Sequence, residues 1–231
     1  MLGLSPSEWI AVELSLRIAI VATAVALPFG IAIGWVLARK EFWGKTLLDG
    51  IVYLPLVLPP VVTGYLLLIS FGRRGPIGAF LADNFGIVFS FRWTGAALSC
   101  GVMGFPLMVR PIRLALEAID RRLEEAGATL GARPAMVFIT ITLPLALPGI
   151  IAGALLCFAR ALGEFGATIT FVSNIPGETQ TISAAIYSLL QIPGGDVLAG
   201  RLVLVAIAIS FAALIASEWF ARRAGMRFQG E

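Results

Sequence analysis

Long apolar runs separated by short polar segments make up most of this chain. Five runs reach the roughly 20 apolar residues that a membrane-crossing helix needs. They cover about residues 12–38, 47–71, 94–114, 135–159 and 199–221. Lipid offers no hydrogen-bond partners, and the sequence has no long alternating strands, so each run must satisfy its backbone as a helix. The pattern predicts an all-α integral membrane protein, with five transmembrane helices in one domain over residues 1–231.

The composition supports lipid as the solvent for much of the chain. Of the 231 residues, 58% are hydrophobic and 13% are charged, whereas a soluble domain is nearer to one quarter charged. A water-soluble chain of this length could not bury so much apolar surface in one core. The first apolar run continues too far for a cleaved signal peptide, so we expect it to be a retained span.

The positive charges predict the orientation of the chain. If the N-terminus lies outside, the inner segments carry eleven Lys and Arg residues, and the outer segments carry only Arg73, Arg74 and Arg92. Cytoplasmic loops of membrane proteins hold the excess of Lys and Arg. We therefore expect the N-terminus outside and the C-terminus in the cytoplasm. The net charge of +3 follows from this topology and from anionic lipid, so no nucleic-acid partner is predicted.

Residues suited to catalysis or metal binding are scarce. The chain contains no histidine, and Cys100 and Cys157 lie isolated in apolar runs without metal-ligand spacing. It lacks the lysine and serine of a nucleotide-binding phosphate loop, and it has no nucleophile paired with a base. We expect no cofactor, no metal and no enzymatic activity.

Prolines interrupt the second apolar run. Pro55, Pro59 and Pro60 each remove a backbone donor within six residues. A broken helix at membrane depth is tolerated where it is buried in protein or lines a water-filled cavity. A pathway-lining segment is favoured over a structural kink, and Thr63 is a candidate for a weak polar contact within it.

A second polar element lies at the outer end of the fourth run. Arg160 and Glu164 are spaced i, i+4, so they can pair on one helix face. Two interpretations stay open: a polar element at the mouth of a pathway, or an ion pair that fixes helix packing. The neighbouring pathway or gate candidates are Phe165, Gly166 and Thr168. Gly163 and Gly166 predict a break, followed by an outer segment over 172–198 that meets an extracytoplasmic partner.

The polar stretch between the third and fourth runs predicts a short amphipathic helix. Asp120 is suited to cap its start, Gly131 is suited to end it in a left-handed conformation, and Pro134 fits the first turn of the next helix. The apolar stripe of Ile119, Leu123, Ala126 and Leu130 is flanked by charges. The small residues from Ala126 to Ala128 allow close approach of another backbone. The segment is either an ordinary surface loop or a docking surface for a cytoplasmic protein.

This stretch resembles the signature of ABC importer permeases. Glu125-Ala126-Gly127, then Gly131, then Ile141-Thr142-Leu143-Pro144 keep the spacing of that signature, with Gly127 in place of the usual alanine. The resemblance implies a type I ABC importer permease fold whose coupling loop, about residues 115–134, docks on an ATP-binding subunit. The residues expected at that contact are Asp120, Leu123, Glu125, Ala126, Gly127, Leu130 and Gly131.

Residues 54–68, 105–117 and 158–182 are similar to the molybdate permeases within that family. The similarity implies a non-catalytic pathway subunit for molybdate in the bacterial inner membrane. It also implies three kinds of protein partner: a second copy of the chain, two cytoplasmic ATP-binding subunits and a periplasmic molybdate-binding protein. Sulfate or tungstate are alternative substrates within the same class. An ion-driven secondary transporter is the alternative from another class, but the chain shows no internal repeat and no mid-span acid.

Overall fold

The computed structural model describes the backbone of residues 4–229 and the side chains of residues 4–213 and 215. Within these residues the chain forms eleven α-helices and one π-helical turn, without a β-strand. The helices are α1 (Pro6–Arg39), α2 (Lys45–Val57), α3 (Pro60–Phe71), α4 (Pro76–Phe85), α5 (Trp93–Ala118), α6 (Arg121–Thr129), α7 (Pro134–Val137), α8 (Leu143–Leu162), α9 (Gly166–Val172), α10 (Ile182–Leu190) and α11 (Asp196–Gln229), and the π-helical turn (Phe138–Thr142) joins α7 to α8. The predicted all-α fold is confirmed.

Four helical segments are long and apolar enough to cross a membrane. They are α1, α5, the continuous helix over Pro134–Leu162, and the part of α11 over Asp196–Ala213. These segments agree with the first, third, fourth and fifth predicted spans. The end of the fifth span and the inner charges Arg222, Arg223 and Arg227 lie outside the residues whose side chains are described.

The interruption predicted from the prolines of the second span, 47–71, is present. Helices α2 and α3 meet at an angle of 116°. Leu58 and Pro59 between them are extended, with ψ of 143° and 135°. Pro60 then occupies the first turn of α3, where its missing N–H costs nothing. The adjacent prolines force the preceding residue out of the helical region, so this segment can provide a fifth crossing only as a broken pair.

The outer break predicted near Gly163 is present. Helix α8 ends at Leu162, and α9 begins at Gly166. Helix α10 follows after the polar loop over 173–181, and its first amide, that of Ile182, donates to Ser15 Oγ of α1 at 2.8 Å. The sequence pattern did not predict α4, which is only 10 residues long.

Helix α5 lies at the centre of the bundle and packs against α1 and α8. Its side chains Met108, Ile112 and Leu116 are buried. Glycines on the neighbouring helices make the close approach possible. A Cβ added at Gly34 of α1 would lie 2.9 Å from Ile112 Cγ2, and one added at Gly153 of α8 would lie 2.5 Å from the Met108 carbonyl oxygen. In lipid there is no hydrophobic driving force between helices, because the acyl chains are as apolar as the side chains. Close backbone packing of this kind therefore provides much of the attraction between the helices.

We expect Gly153→Ala to lower the stability of the folded chain by about 1–3 kcal/mol, because the new methyl group meets a backbone atom that cannot rotate away. Gly50→Ala is the matched control, since a Cβ at Gly50 meets nothing within 4 Å. That control should be neutral or more stable by up to about 1 kcal/mol, owing to its better helix propensity. Thermal unfolding in detergent measures both. Equal melting temperatures would contradict the proposed packing role of Gly153.

Candidate functional site

The predicted amphipathic helix is α6, and its two ends form as expected. At the start, the Asp120 carboxylate accepts a hydrogen bond from the Arg122 amide at 3.0 Å. At the end, the amides of Gly131 and Ala132 donate to the carbonyls of Ala128 and Gly127 at 3.0 and 3.2 Å. This paired arrangement is a Schellman motif, and it places Gly131 at φ 86°. Pro134 then opens α7. Local sequence therefore determines a compact, well-terminated helix.

A partly buried ion pair ties α6 to the rest of the bundle. Arg39, the last residue of α1, places its Nη2 3.1 Å from Glu124 Oε1 and 3.3 Å from the Ile119 carbonyl oxygen. The Thr142 hydroxyl donates to the same Glu124 oxygen at 2.7 Å. Only 8% of the Arg39 side chain is exposed. Glu124 thus joins α6 to the end of α1 and to the π-helical turn.

Sequence reasoning missed this link. In the sequence, Arg39 is one of the eleven inner-segment Lys and Arg residues, and Glu124 is one of the charges that flank the apolar stripe. The two residues are 85 positions apart, so no spacing rule could pair them. The one available signal was an acid within the first turn of a predicted helix, and that signal is common.

The residues predicted for docking fall on two faces of α6. Leu123, Glu125, Ala126 and Leu130 are exposed, and Leu130 is 89% exposed. Gly127 instead faces the chain itself. A Cβ there would lie 2.8 Å from Ile141 Cδ1 and 3.3 Å from Val137 Cγ2. The glycine at this position therefore brings α6 close to α7 and the π-helical turn, while its neighbours present an open surface.

The π-helical turn lies where α6 and its connection join the fourth span. The Leu143 amide bonds to the Phe138 carbonyl, five residues earlier. The Phe138 ring packs edge-on against Trp35 of α1, with centroids 6.2 Å apart. Single π turns inside α-helices are frequent at functional sites, because the extra residue changes the direction of side chains. Here the turn directs Thr142 inward to Glu124.

The structure brings the two predicted pathway segments together. A Cβ added at Gly166 would lie 2.8 Å from Pro60 Cβ, and one added at Gly64 would lie 2.6 Å from the Ala167 carbonyl oxygen. Helices α3 and α9 therefore pack with their backbones close together. Pro59 is exposed, and Pro55 and Pro60 are half-buried. The bend between α2 and α3 thus lies directly beside the break between α8 and α9.

Glu164 is the central polar side chain of this region, with 1% of its surface exposed. Its Oε2 lies 2.7 Å from Arg160 Nη1 without an aligned hydrogen bond. Its Oε1 accepts from the Ala167 amide at 2.8 Å, in the first turn of α9. A carboxylate there also interacts favourably with the free amides of a helix start. The pair therefore holds the break between α8 and α9 in its present shape.

The remaining pathway candidates also face the protein interior. The Thr168 hydroxyl donates to the Phe165 carbonyl at 2.8 Å. The Phe165 ring packs on Tyr187 of α10 with centroids 5.0 Å apart. The Thr63 hydroxyl is buried and has no hydrogen-bond partner among the described residues. In this conformation the segments are closed against each other, so passage of a solute would require them to separate.

Helix α8 connects the two regions. It begins at Leu143, next to Thr142 of the α6 anchor, and ends at Leu162, two residues before Glu164. Its 20 residues, with Pro148 among them, correspond to about 30 Å of continuous helix. Among the described residues, no group of three or more His, Cys, Asp or Glu side chains could hold a metal ion. The arrangement can transmit movement and offers weak polar contacts to a solute.

Comparison with known proteins identifies the relatives of this architecture. The sequence profile of the family described as "Binding-protein-dependent transport system inner membrane component" matches residues 27–226. The chain is 61% identical to the "Molybdenum transport system permease protein ModB" of Escherichia coli K12 over 95% of its length and 96% of the relative. It is 57% identical to the protein of the same description from Haemophilus influenzae, over 92% and 93% of the two chains.

Solved structures agree with the fold. A chain of a bacterial ABC transporter involved in the import of the acidic polysaccharide alginate superimposes with a TM-score of 0.74. The two chains are 18% identical, and the match covers 95% of this chain and 80% of the other. At this identity the likeness bears on the fold alone. The predicted type I ABC importer permease fold is confirmed.

We expect Glu124→Gln to destabilise the chain by about 2–3 kcal/mol, because it leaves the buried Arg39 guanidinium without a counter-charge. The adjacent change Glu125→Gln should cost less than about 0.5 kcal/mol, since Glu125 is exposed. Thermal unfolding of the two variants in the same detergent compares them. If both behave like the parent chain, the ion pair does not anchor α6.

Proposed function

Because this chain belongs to the family of binding-protein-dependent transport system inner membrane components, we propose that it is the membrane-spanning permease subunit of an ATP-driven molybdate importer. It lies in the bacterial inner membrane and forms the translocation pathway without catalysing a reaction. Its partners are a second copy of itself, two cytoplasmic ATP-binding subunits and a periplasmic molybdate-binding protein. The 61% identity to a molybdenum transport permease over nearly the full length is the observation that carries this proposal.

The open face of α6 is the proposed contact with the ATP-binding subunit. Its exposed side chains are those of Leu123 and Leu130 and, further round the helix, the Glu125 carboxylate. Exposed apolar residues rimmed by charge are typical of protein contacts. The face is on the same end of the bundle as most of the Lys and Arg residues, which supports a cytoplasmic position.

Movement enters through the anchor of α6 and continues along α8. When the ATP-binding subunits close, they displace α6. The ion pair of Glu124 with Arg39 and the hydrogen bond from Thr142 pass this displacement to α1 and α8. Because α8 is a continuous helix, its far end moves the break that holds Glu164 against α9. Separation of α9 from α3 then opens the pathway.

Weak contacts with the anion suit this mechanism. Tight binding within the pathway would slow release, so selectivity belongs to the separate binding protein. Buried hydroxyl groups such as those of Thr63 and Thr168 lie at the contact of α3 with α9. They can donate hydrogen bonds to a tetrahedral oxyanion without holding it strongly. Sulfate and tungstate share this geometry, and they remain the alternative substrates.

The first test is uptake by the assembled transporter in proteoliposomes. With the ATP-binding subunits outside and the loaded binding protein inside inverted vesicles, we expect molybdate transport only when ATP is present. The same measurement with tungstate or sulfate loaded on the binding protein compares the transport rates of the three candidate anions. Transport by this chain alone, driven by an ion gradient, would instead make it a secondary transporter.

A second test addresses the coupling face. Gly131→Leu places a bulky side chain at φ 86°, which costs about 1–2 kcal/mol, and Glu125→Lys reverses an exposed charge. We expect each to weaken retention of the ATP-binding subunit or ATP-dependent uptake by about tenfold, since about 1.4 kcal/mol corresponds to that factor. Gly131→Asn should retain most activity, because asparagine tolerates the left-handed region. Normal co-purification and uptake for Gly131→Leu and Glu125→Lys would show that α6 is not the docking helix.

A further inference from the structure

A large pocket opens at the end of the bundle opposite α6. It measures about 890 Å³ and lies between the connection from α3 to α4 and residues 88–92, which lead into α5. The Arg73 amide donates to Ser90 Oγ at 3.1 Å and so ties the two sides together. Phe91 holds a left-handed backbone, with φ 57°. A non-glycine residue in that region carries strain, which its surroundings must sustain. The pocket is therefore a built feature of this end of the molecule.

Three arginines line this pocket. They are Arg73, Arg74 and Arg92, and one acid, Glu178, lies at its edge. All four side chains are exposed. None of the three guanidinium groups takes part in an ion pair or a side-chain hydrogen bond with another described residue. The pocket thus carries two uncompensated positive charges that are free to meet a ligand.

The position of these charges runs against the general distribution of charge in the chain. The three arginines are all the basic residues that the predicted topology assigns to outer segments, and they gather in one place. Topology alone disfavours basic residues on that side of a membrane. A ligand that carries negative charge accounts for their clustering.

The walls between the arginines are apolar. Leu68 and Ile69 belong to the last turns of α3, and Ile69 is 47% exposed. Phe91 is also exposed, and α4 beside it presents Phe80 and Phe85, whose rings pack edge-on with centroids 6.1 Å apart. Exposed apolar groups beside charged ones are typical of sites that contact a membrane or another protein. An inorganic anion would contact the arginines and leave the apolar walls uncovered. An amphipathic anion would contact both the arginines and the walls.

We propose that this pocket binds the phosphate headgroup of an anionic membrane phospholipid. The guanidinium groups hold the phosphodiester, for which their planar fork of donors is suited. The glycerol and the first part of the acyl chains lie against Ile69 and Phe91. Binding this lipid would fix the α3–α4 connection to the start of α5, and so stabilise the outer end of the bundle. The inference concerns a lipid site and does not depend on which solute the protein transports.

The test compares lipid retention by the full chain and its variants in native mass spectrometry. The chain is purified in a mild detergent and titrated with phosphatidylglycerol or, in parallel, with zwitterionic phosphatidylcholine. We expect the parent chain to retain phosphatidylglycerol preferentially. The triple change Arg73→Gln, Arg74→Gln and Arg92→Gln should weaken that retention about 100-fold, because each basic group near an anionic lipid surface contributes to the binding free energy. Glu178→Gln, in the same pocket, should strengthen retention, because it removes the one negative charge.

A photoreactive phosphatidylglycerol locates the site. Cross-links should map to residues 68–92 in the parent chain and disappear in the triple variant. Two outcomes would overturn the proposal: unchanged retention and cross-linking in the triple variant, or displacement of the lipid signal by millimolar inorganic phosphate or molybdate at constant ionic strength. The second outcome would assign the arginines to a free oxyanion instead. Equal melting temperatures of parent and triple variant exclude loss of folding as the cause.

Discussion

The close approach of α5 to α1 and α8 underlies the other features of this structure. Gly34 and Gly153 allow the backbones to come within van der Waals contact of Ile112 and Met108. In lipid, apolar side chains gain little from meeting each other rather than acyl chains, so dense backbone packing must supply the attraction. This packing places α8 at a fixed position along the bundle. Both candidate regions are built on the two ends of that helix.

At one end, a small helix is joined to the bundle by charge. α6 has no buried residue of its own, so apolar burial cannot hold it. The contact of Glu124 with Arg39 and Thr142 provides the attachment, and Gly127 removes the bulk that would keep α6 at a distance. The attachment is on one face of α6, and the opposite face stays open for a partner. Because one face of α6 is attached and the other is open, a partner bound to the open face can displace α6, and the attached face then passes this displacement to the bundle.

At the other end, two irregular segments support each other. The bend after Leu58 and the break after Leu162 each leave backbone groups without helical partners. Helix α3 packs on α9 with the backbones close together, and Glu164 satisfies the Ala167 amide at the start of α9. Irregular backbone is tolerated at membrane depth only under such protection. In the proposed mechanism the pathway opens at this contact, because two short helices can separate without unfolding a long one.

The amino-acid sequence by itself determined the all-α membrane fold, the four long helices and both ends of α6. These features follow from local rules: apolar length, the capping residue Asp120 and the left-handed Gly131. The prolines of 47–71 indicated an interrupted helix, but the angle of 116° between its two halves could not be read from the sequence, because a sequence pattern does not measure direction. Only the tertiary structure paired Arg39 with Glu124, turned Gly127 inward and placed Pro60 beside Gly166. These contacts join residues far apart in the chain, and their geometry depends on how the long helices pack.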